Sequence, residues 1–408
     1  MDGQSAVSLA SLATSLTLLS STSSPPPLPI SHADLLSQPF ELLHGRRYLR
    51  DLPYPLPVDL PELHRQNLRT LIGCSVFGRP VCSPVATRSP PRRVLELGCG
   101  SGYWSAMCHE YFTSLGHPNV EFVGLDVAPL APDFERQGHG MNWKFVQHDL
   151  RRLPLPFPNE DFDMVVLKDL SLTLPFTGAR SLFERILDEC VRLLRGGGVL
   201  EIWDGEHLTR SILPHPPPVA GTHRKSRELA SRTGTFLIAP GTPFAPAQNK
   251  YLNQASDWIK EAIDLRKLPS TPCARIAQIL YQEPDMLGDV DYKRVAIPLG
   301  EQRWERDDPG QQQIRSEGSD GKAADPHDSF IALTPDQLAI RQTALLTVVR
   351  FIESMEPLLQ DVSGMNAEEW SHWWSAMMAD LMDPDSQGAI NGECLEIGAW
   401  WCIKIAAS

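Results

Sequence analysis

The chain has 408 residues, a hydrophobic share of 42% and a formal net charge of −13. This length allows two or three domains, or one large domain with insertions, and the apolar content is enough for a sizeable core. The negative charge disfavours nucleic acid and acidic membranes as partners and favours a small molecule or a protein. Eight scattered cysteines without metal-ligand spacing indicate reduced thiols of an intracellular protein, cytoplasmic or nuclear, and predict no metal site.

Residues 1–38 are rich in serine and proline and predict a disordered tail. This segment lacks the basic start of a secretory signal and the arginines of a mitochondrial presequence. The chain contains no run of about 18 apolar residues, so no membrane helix is predicted. Residues 39–90 contain one helical pattern, Leu60 to Ile72, and predict an N-terminal helical lid segment.

Residues 91–304 alternate apolar runs with helical patterns, which predicts parallel βαβ units and a single core. Five strands are predicted from "RRVLELG" to "GVLEIWD", and a sixth in "YKRVAIPLG". An insertion near residues 205–248 is rich in proline and glycine and carries the basic run "HRKSRELASR". We interpret this run as a solvated loop, with nuclear import or nucleic-acid binding as the alternative.

Residues 305–328 are polar and glycine-rich and predict a disordered insertion. Residues 329–408 contain two helical patterns, at 337–360 and 367–382, and a last strand in "ECLEIGAWWCIKIA" that completes the fold. On the second helix, Trp370, Trp373 and Trp374 recur at helical spacing. We interpret them as core or lid packing, with an aromatic substrate cage as the alternative.

The stretch "VLELGCGSGYW" leads from a predicted strand to a predicted helix through Gly98, Gly100 and Gly102. Glycines permit a sharp turn and a close approach of a ligand, and the helix N-terminus offers free N–H groups. A GxGxxG motif for NAD would place its third glycine at Tyr103, whereas the spacing here fits ExGxGxG counted from Glu96. This spacing, and the lack of a second nucleotide-binding half, exclude an NAD-dependent dehydrogenase.

Two aspartates follow at the ends of predicted strands. Asp126 closes the second strand, where a carboxylate can accept hydrogen bonds from both ribose hydroxyls. Asp149 closes the third, where it can accept one from an adenine amino group. A lone aspartate is ordinarily a cap or turn former. Together with the glycines, however, these residues mark the strand edge at which open α/β sheets bind ligands, which predicts nucleoside binding.

Residues 94–204 resemble the class I S-adenosylmethionine-dependent methyltransferases in "LELGCGSG", "GLDV", "QHDLRRLPLPFPNEDFDMVVLKD" and "LLRGGGVLEIWD". In addition, "HGRRYLRDLPYPLPVDLPELHRQNL", "GLDVAPLAPDF" and "GAWWCIKIA" are similar to segments of fungal LaeA-like methyltransferases, several of which regulate secondary metabolism or development. The resemblance implies an α/β fold with a Rossmann-like seven-stranded sheet, mostly parallel with a final antiparallel strand, and helices on both faces. It also implies S-adenosyl-L-methionine as cofactor and a small-molecule or protein methyl acceptor.

The same resemblance implies a set of cofactor-binding residues: Glu96, Gly98, Gly100, Gly102, Asp126, Val127, Asp149, Leu150 and Lys168. Lys168 and Asp169 are candidates to face the methyl group, the alternative being that they cap the strand and pair with each other. His207 is a candidate base, the alternative being a surface histidine without a catalytic part. Two functions stay open: an active methyltransferase, or a regulatory protein that uses this fold to bind partner proteins.

Overall fold

The computed structural model describes residues 31–134, 140–178, 180–221, 224–302, 304–305, 333–382 and 390–406. Most of the two segments predicted to be disordered, residues 1–38 and 305–328, lies outside these described residues. The helices are α1 (His32–Ser37), α2 (Leu60–Phe77), α3 (Pro84–Arg88), α4 (Tyr103–Ser114), α5 (Leu182–Leu193), α6 (Arg224–Thr233), α7 (Lys250–Asp264), α8 (Pro272–Tyr281), α9 (Pro335–Ser354), α10 (Glu356–Ser363) and α11 (Ala367–Met382).

The strands are β1 (Phe40–Leu43), β2 (Arg46–Leu49), β3 (Arg93–Leu97), β4 (Glu121–Asp126), β5 (Asn142–Gln147), β6 (Phe162–Lys168), β7 (Leu194–Gly205), β8 (Arg210–Ile212), β9 (Phe236–Leu237), β10 (Phe244–Pro246), β11 (Leu287–Pro298) and β12 (Glu393–Lys404). Seven of them follow the order β5-β4-β3-β6-β7-β12-β11. The pairs from β5 to β7 are parallel, and the last strand, β12, is antiparallel to both of its neighbours. The predicted mixed sheet is therefore confirmed, with short strands β8, β9 and β10 added at its edge.

Helices cover both faces of the sheet, as predicted, because successive side chains of a strand point to opposite sides. On β3, Val94 packs with Trp104 and Phe112 of α4. Its neighbour Leu95 packs on the other face with Ile186 of α5. A third apolar cluster joins α2, α7, α9, α10 and α11 to the end of the sheet formed by β7, β11 and β12.

The N-terminal part of the described chain holds more regular structure than the sequence predicts. Residues 32–37, assigned to the tail, form α1, because Ser31 caps its first turn and Leu35 is buried against Val127. Residues 39–90 contain the β1–β2 hairpin in addition to the predicted helix, which extends to Phe77 and ends at Gly78 in the left-handed region.

Two further local predictions need correction. The basic run near residue 224, interpreted as a loop, forms α6, whose Ala230 and Thr233 are buried. The helical pattern at 337–360 divides into α9 and α10 around Met355, because the proline at 357 lacks an N–H and disfavours helical backbone before it.

Candidate active site

The turn after β3 requires glycine at three positions, and the space around Gly100 differs from that around the other two. Gly98, Gly100 and Gly102 have φ angles of 64°, 51° and 68°, which side chains rarely adopt. A β-carbon at Gly98 would lie 2.4 Å from Leu170 Cδ2, and one at Gly102 would lie 2.9 Å from Phe134 Cε2. At Gly100 the nearest atom is a side-chain oxygen of α2 at 3.7 Å. Only Gly100 therefore presents open space to a ligand.

Asp126, at the carboxyl end of β4, holds this turn in place. Its Oδ2 accepts a hydrogen bond from Gly100 N at 2.9 Å, and its Oδ1 accepts one from Ala128 N at 3.1 Å. Burial raises the pKa of Asp126, while these N–H groups oppose the shift. Each oxygen keeps a further lone pair, so the carboxylate can accept two more hydrogen bonds from a ligand.

Asp149, just beyond β5, is less available than the sequence implies. Its carboxylate receives the guanidinium of Arg151 at 3.0 and 3.1 Å and the Arg151 backbone N–H at 2.9 Å. Arg151 also donates to the carbonyl of Asp51 at 2.6 Å, which connects the N-terminal segment to this end of the site. An adenine ring would have to share Asp149 with Arg151.

Glu96 lies at the end of β3 beneath the glycine turn, with 3% of its surface exposed. Burial raises its pKa to about 7, and Ser105 Oγ of α4 donates to its carboxyl at 2.6 Å. This contact joins the first turn of α4 to β3. Glu96 thus supports the glycine turn, and it also borders the site cavity.

Lys168 and Asp169 end β6 and form an ion pair with each other, as the alternative interpretation held. Arg69 of α2 donates to the same Asp169 carboxylate at 2.9 Å. Burial alone would raise the pKa of Asp169, but the two cations outweigh it and hold that pKa well below its usual range. A carboxylate that stays ionised between two cations is a fixed negative charge at the end of β6.

His207 follows β7 and is not a solvated surface residue. Its Nε2 lies 2.8 Å from Ser171 Oγ, which in turn lies 2.8 Å from Asp204 Oδ1. Its ring stacks on Phe351 of α9, with centroids 6.0 Å apart and planes 28° apart. Burial, with a smaller effect of Arg69, lowers the pKa of His207 to about 3, so the ring is neutral at physiological pH.

This hydrogen-bond chain determines which ring nitrogen carries the proton. Burial raises the pKa of Asp204 to about 6, so at neutral pH it is ionised and only accepts hydrogen bonds. Ser171 must then donate its single hydroxyl hydrogen to Asp204 and accept from His207 Nε2–H. We infer the Nε2–H tautomer, which leaves a lone pair on Nδ1. Within the described chain, Nδ1 has no hydrogen-bond partner.

One cavity at the carboxyl edge of the parallel strands brings nearly all predicted site residues together. It is lined by Glu96, Gly98, Gly100, Asp126, Val127, Asp149, Leu150, Lys168, Asp169 and His207, while Gly102 lies outside the lining as the cap of α4. Their individual roles remain predictions. Lining residues outside the predicted set include Arg65, Gln66 and Arg69 of α2 and Glu206 beside β7.

The cavity differs in character along the sheet edge. Near β3, β4 and β5 it is bordered by the glycine turn and the aspartates, whereas beyond β6 and β7 its walls are largely apolar. These walls comprise Leu172, Leu208, Ala255, Ile259, Val348, Phe351 and Ile352. Glu206 also lies here, with its Oε1 paired to Arg294 at 3.1 Å and its Oε2 buried without a hydrogen-bond partner in the described chain. Burial and Glu396 raise its pKa to about 7, and Arg294 opposes the shift.

The tryptophans and cysteines singled out in the sequence lie in the core. Trp370 and Trp373 are buried and pack on each other with centroids 5.0 Å apart, away from the cavity lining, which fits the core interpretation. All eight cysteines are buried free thiols. Among the described residues, no cluster of metal-ligating side chains occurs, and no helix is long and apolar enough to cross a membrane.

The strand order, the antiparallel β12, the glycine turn and the acids after β4 and β5 define a Rossmann-like fold of the class I methyltransferase type. In agreement, the family described as "Methyltransferase domain" matches residues 94–198. The resemblance inferred from the sequence is therefore confirmed for this class.

Two curated proteins illustrate the similarity. The chain is 35% identical over 96 residues to malonyl-[acyl-carrier protein] O-methyltransferase of Legionella pneumophila, covering 23% of this chain and 30% of that protein. It is 29% identical over 148 residues to the secondary metabolism regulator laeA of Aspergillus niger, covering 35% of this chain and 36% of that protein. The matched region thus spans about a third of the length of these relatives.

Solved structures give a more distant likeness. A structure named "putative sarcosine dimethylglycine methyltransferase from Galdieria sulphuraria" is 13% identical with a TM-score of 0.32, covering 87% of this chain and 94% of that chain. Phosphoethanolamine N-methyltransferase 2 of Haemonchus contortus, in complex with S-adenosyl-L-methionine, is 13% identical with a TM-score of 0.31, covering 83% and 57%.

Proposed function

We propose that this protein binds S-adenosylmethionine and transfers its methyl group to an acceptor that carries an O–H or N–H group. The observation that carries the proposal is Asp126, whose partly buried carboxylate keeps lone pairs free beside the open face of Gly100. This arrangement fits a nucleoside, because ribose offers two adjacent hydroxyls to one carboxylate. The similarity of residues 94–198 to methyltransferase domains supports the same cofactor.

The chain's residues would divide the work as follows. Asp126 binds the ribose, Gly100 lets the backbone approach the ligand, and Val127 and Leu150 flank the adenine. When bound, S-adenosylmethionine supplies a methyl group made electrophilic by its sulfonium, so transfer is an in-line displacement. The protein's contribution is then to orient the acceptor and exclude water. Arg65 and Phe351, from α2 and α9, border the acceptor side and serve that exclusion.

For the acceptor, we propose that Nδ1 of His207 accepts a hydrogen bond from its O–H or N–H group and takes up the proton as the methyl bond forms. Nδ1 is unprotonated at physiological pH, and Ser171 and Phe351 fix the ring. Burial and Arg69 disfavour the protonated ring, and the negative charge of Asp169 opposes them only in part, so the ring takes up the proton only as the methyl bond forms. The apolar walls beyond β7 suit a compact, largely apolar acceptor group.

The experiment has two stages. Purified protein is first titrated calorimetrically with S-adenosylmethionine and, as a control nucleotide, with NAD. Saturable binding of S-adenosylmethionine alone is expected, whereas a folded chain that does not bind it would overturn the proposal. The protein is then incubated with methyl-labelled S-adenosylmethionine and a fungal extract separated into small molecules and proteins. Label in either fraction that falls in the His207→Asn variant supports catalysis.

A regulatory protein that binds partners through this fold is the second candidate. The similarity to the secondary metabolism regulator of Aspergillus niger favours it. Binding of S-adenosylmethionine without label transfer to any fraction would support this candidate over the enzyme. In either case we propose a fungal, intracellular protein of the cytoplasm or nucleus, since eight buried free thiols are typical of a reducing compartment. A fluorescent fusion found in the secretory pathway would contradict that location.

A further inference from the structure

A second cleft lies at the far end of α2 from the active site. Gln66, near the start of α2, borders the active-site cavity, whereas Phe77 and Gly78 at its end border this cleft. On α2 the active-site lining extends to Thr70, seven positions before Phe77, which corresponds to about 10 Å along the axis. The cleft is completed by α6, β9 and β11, and no role proposed above involves it.

Five cationic side chains border the cleft, and one of them, Arg294, is paired with Glu206 and Glu396. We call the site the basic cleft after the other four: Arg79, Lys225, Arg232 and Lys293. Within the described part of the chain, none of these four forms an ion pair. Of the carboxylates at its rim, Glu228 is engaged by Arg224 at 2.6 Å and Asp291 is exposed. In a chain of net charge −13, an unneutralised group of cations in one concave site is a local exception.

Lys293 is the most informative of the four. It is partly buried on β11, with its ammonium 5.6 Å from the ring centre of Phe77 and 3.4 Å from the carbonyl oxygen of Val76. Burial lowers its pKa, and the nearby charge of Arg79 lowers it further. Removing an ammonium from water without a carboxylate partner costs free energy. An anionic ligand in the cleft would offset that cost.

The floor of the cleft between these cations is apolar. Phe77 and Trp401 contribute aromatic surface, and Leu229, Leu237 and Ile238 contribute aliphatic surface. Lys225 and Arg232 stand exposed on α6 at the rim. Cations spread over three separate elements around an apolar floor suit an extended ligand with several anionic groups and apolar groups between them, rather than a single phosphate.

We propose that the basic cleft binds an acidic segment of a partner protein, in which glutamate or aspartate side chains alternate with large apolar ones. The acidic groups pair with Lys293, Arg79 and the two α6 cations, and the apolar groups cover the floor. A long nucleic acid is disfavoured because the rest of the surface carries the excess negative charge and repels it. A short acidic segment extends little beyond the cleft and avoids that repulsion.

The test uses the full chain and a fluorescein-labelled peptide of about a dozen alternating glutamate and leucine residues, followed by anisotropy. Saturable binding is expected, and it should weaken about tenfold in Lys293→Met and in Arg232→Gln, since each removes a charged contact. Lys144→Gln is the matched control, because this exposed lysine on β5 lies at the opposite edge of the sheet. Its affinity should equal that of the wild type.

Three outcomes would overturn the proposal. They are no saturable binding of the peptide, equal weakening by Lys144→Gln, and tighter binding of a single-stranded RNA of equal charge. Thermal unfolding of each variant reports whether it is folded, and Lys293→Met should be at least as stable as the wild type because it removes a desolvated charge. Since the cleft is separate from the active-site cavity, calorimetric affinity for S-adenosylmethionine should not change in these variants. Loss of methyl transfer alone would therefore leave this proposal standing.

Discussion

Replacing Asp126 by asparagine is the most direct test of the cofactor site. The carboxylate accepts from Gly100 N and Ala128 N, and the proposed ribose contact adds two hydroxyl donors. A hydrogen bond to a charged group contributes about 1.5–3 kcal/mol. Asparagine is neutral and keeps one acceptor oxygen, so we expect a loss of about 2–4 kcal/mol, roughly 30- to 1,000-fold in the Kd for S-adenosylmethionine.

The assay is calorimetric titration, with Asp163→Asn as matched control. Asp163 also accepts two backbone N–H bonds, from Arg92 at 2.9 Å and Arg93 at 3.0 Å. It lies near the start of β6, however, at the amino ends of the parallel strands and away from the cavity. Both substitutions disturb a carboxylate that holds a turn, and only Asp126→Asn should weaken binding. Equal Kd values for Asp126→Asn and the wild type would refute the proposed ribose contact. An equal loss of affinity in Asp126→Asn and Asp163→Asn would also refute it, because the effect would then not depend on a position beside the cavity.

Three further outcomes are expected. Gly98→Ala should lower the free energy of unfolding, measured in urea, by about 2–5 kcal/mol, because it adds backbone strain and a steric clash. Gly100→Ala should lower it by only about 1–2 kcal/mol, because it adds backbone strain alone, and it should weaken cofactor binding. Glu62→Ala should cost about 3–5 kcal/mol in the same assay, since it leaves Arg65 buried without its partner at 2.6 Å. His207 has a pKa of about 3, below its ordinary 6.5, so the unfolded chain binds its proton first and stability should fall as pH drops from 6.5 toward 3. In His207→Asn that fall should be shallower by at most about 1.4 kcal/mol per pH unit, measured by urea unfolding across the range; an unchanged slope would contradict the buried, neutral ring.

The predicted site residues all lie at or just after the carboxyl ends of the parallel strands. The end of a predicted strand fixes where its next side chains stand, because the carboxyl ends of parallel strands meet at one edge. Gly98, Asp126, Asp149 and Lys168 could therefore be assigned to one cavity before the fold was known. The same rule applies to Glu206, which follows β7 directly but was not among the predicted site residues.

What the sequence could not supply is the set of contacts between distant segments. Arg69 meets Asp169 across 100 positions, and Arg151 reaches the carbonyl of Asp51 across the same separation. No spacing in the chain encodes such pairs, since they depend on how α2 and the N-terminal segment pack over the sheet. For the same reason, His207 could not be distinguished from an exposed loop residue until Ser171 and Phe351 were found beside it.

The glycines and the carboxyl groups of the site bear on the choice between a ligand-binding enzyme and a regulator that binds only partner proteins. Gly98 and Gly102 are explained by packing alone, because a β-carbon at either would strike a neighbouring side chain, so these glycines indicate the fold and not a ligand. Asp126 is different: its two oxygens accept one backbone N–H each and keep further lone pairs that the described chain does not use. Glu206 is paired with Arg294 through Oε1 at 3.1 Å, whereas its buried Oε2 has no hydrogen-bond partner in the described chain. A scaffold that only bound partner proteins would not need acceptor oxygens left unused at the cavity, so these two carboxyl groups favour a site that binds ligands.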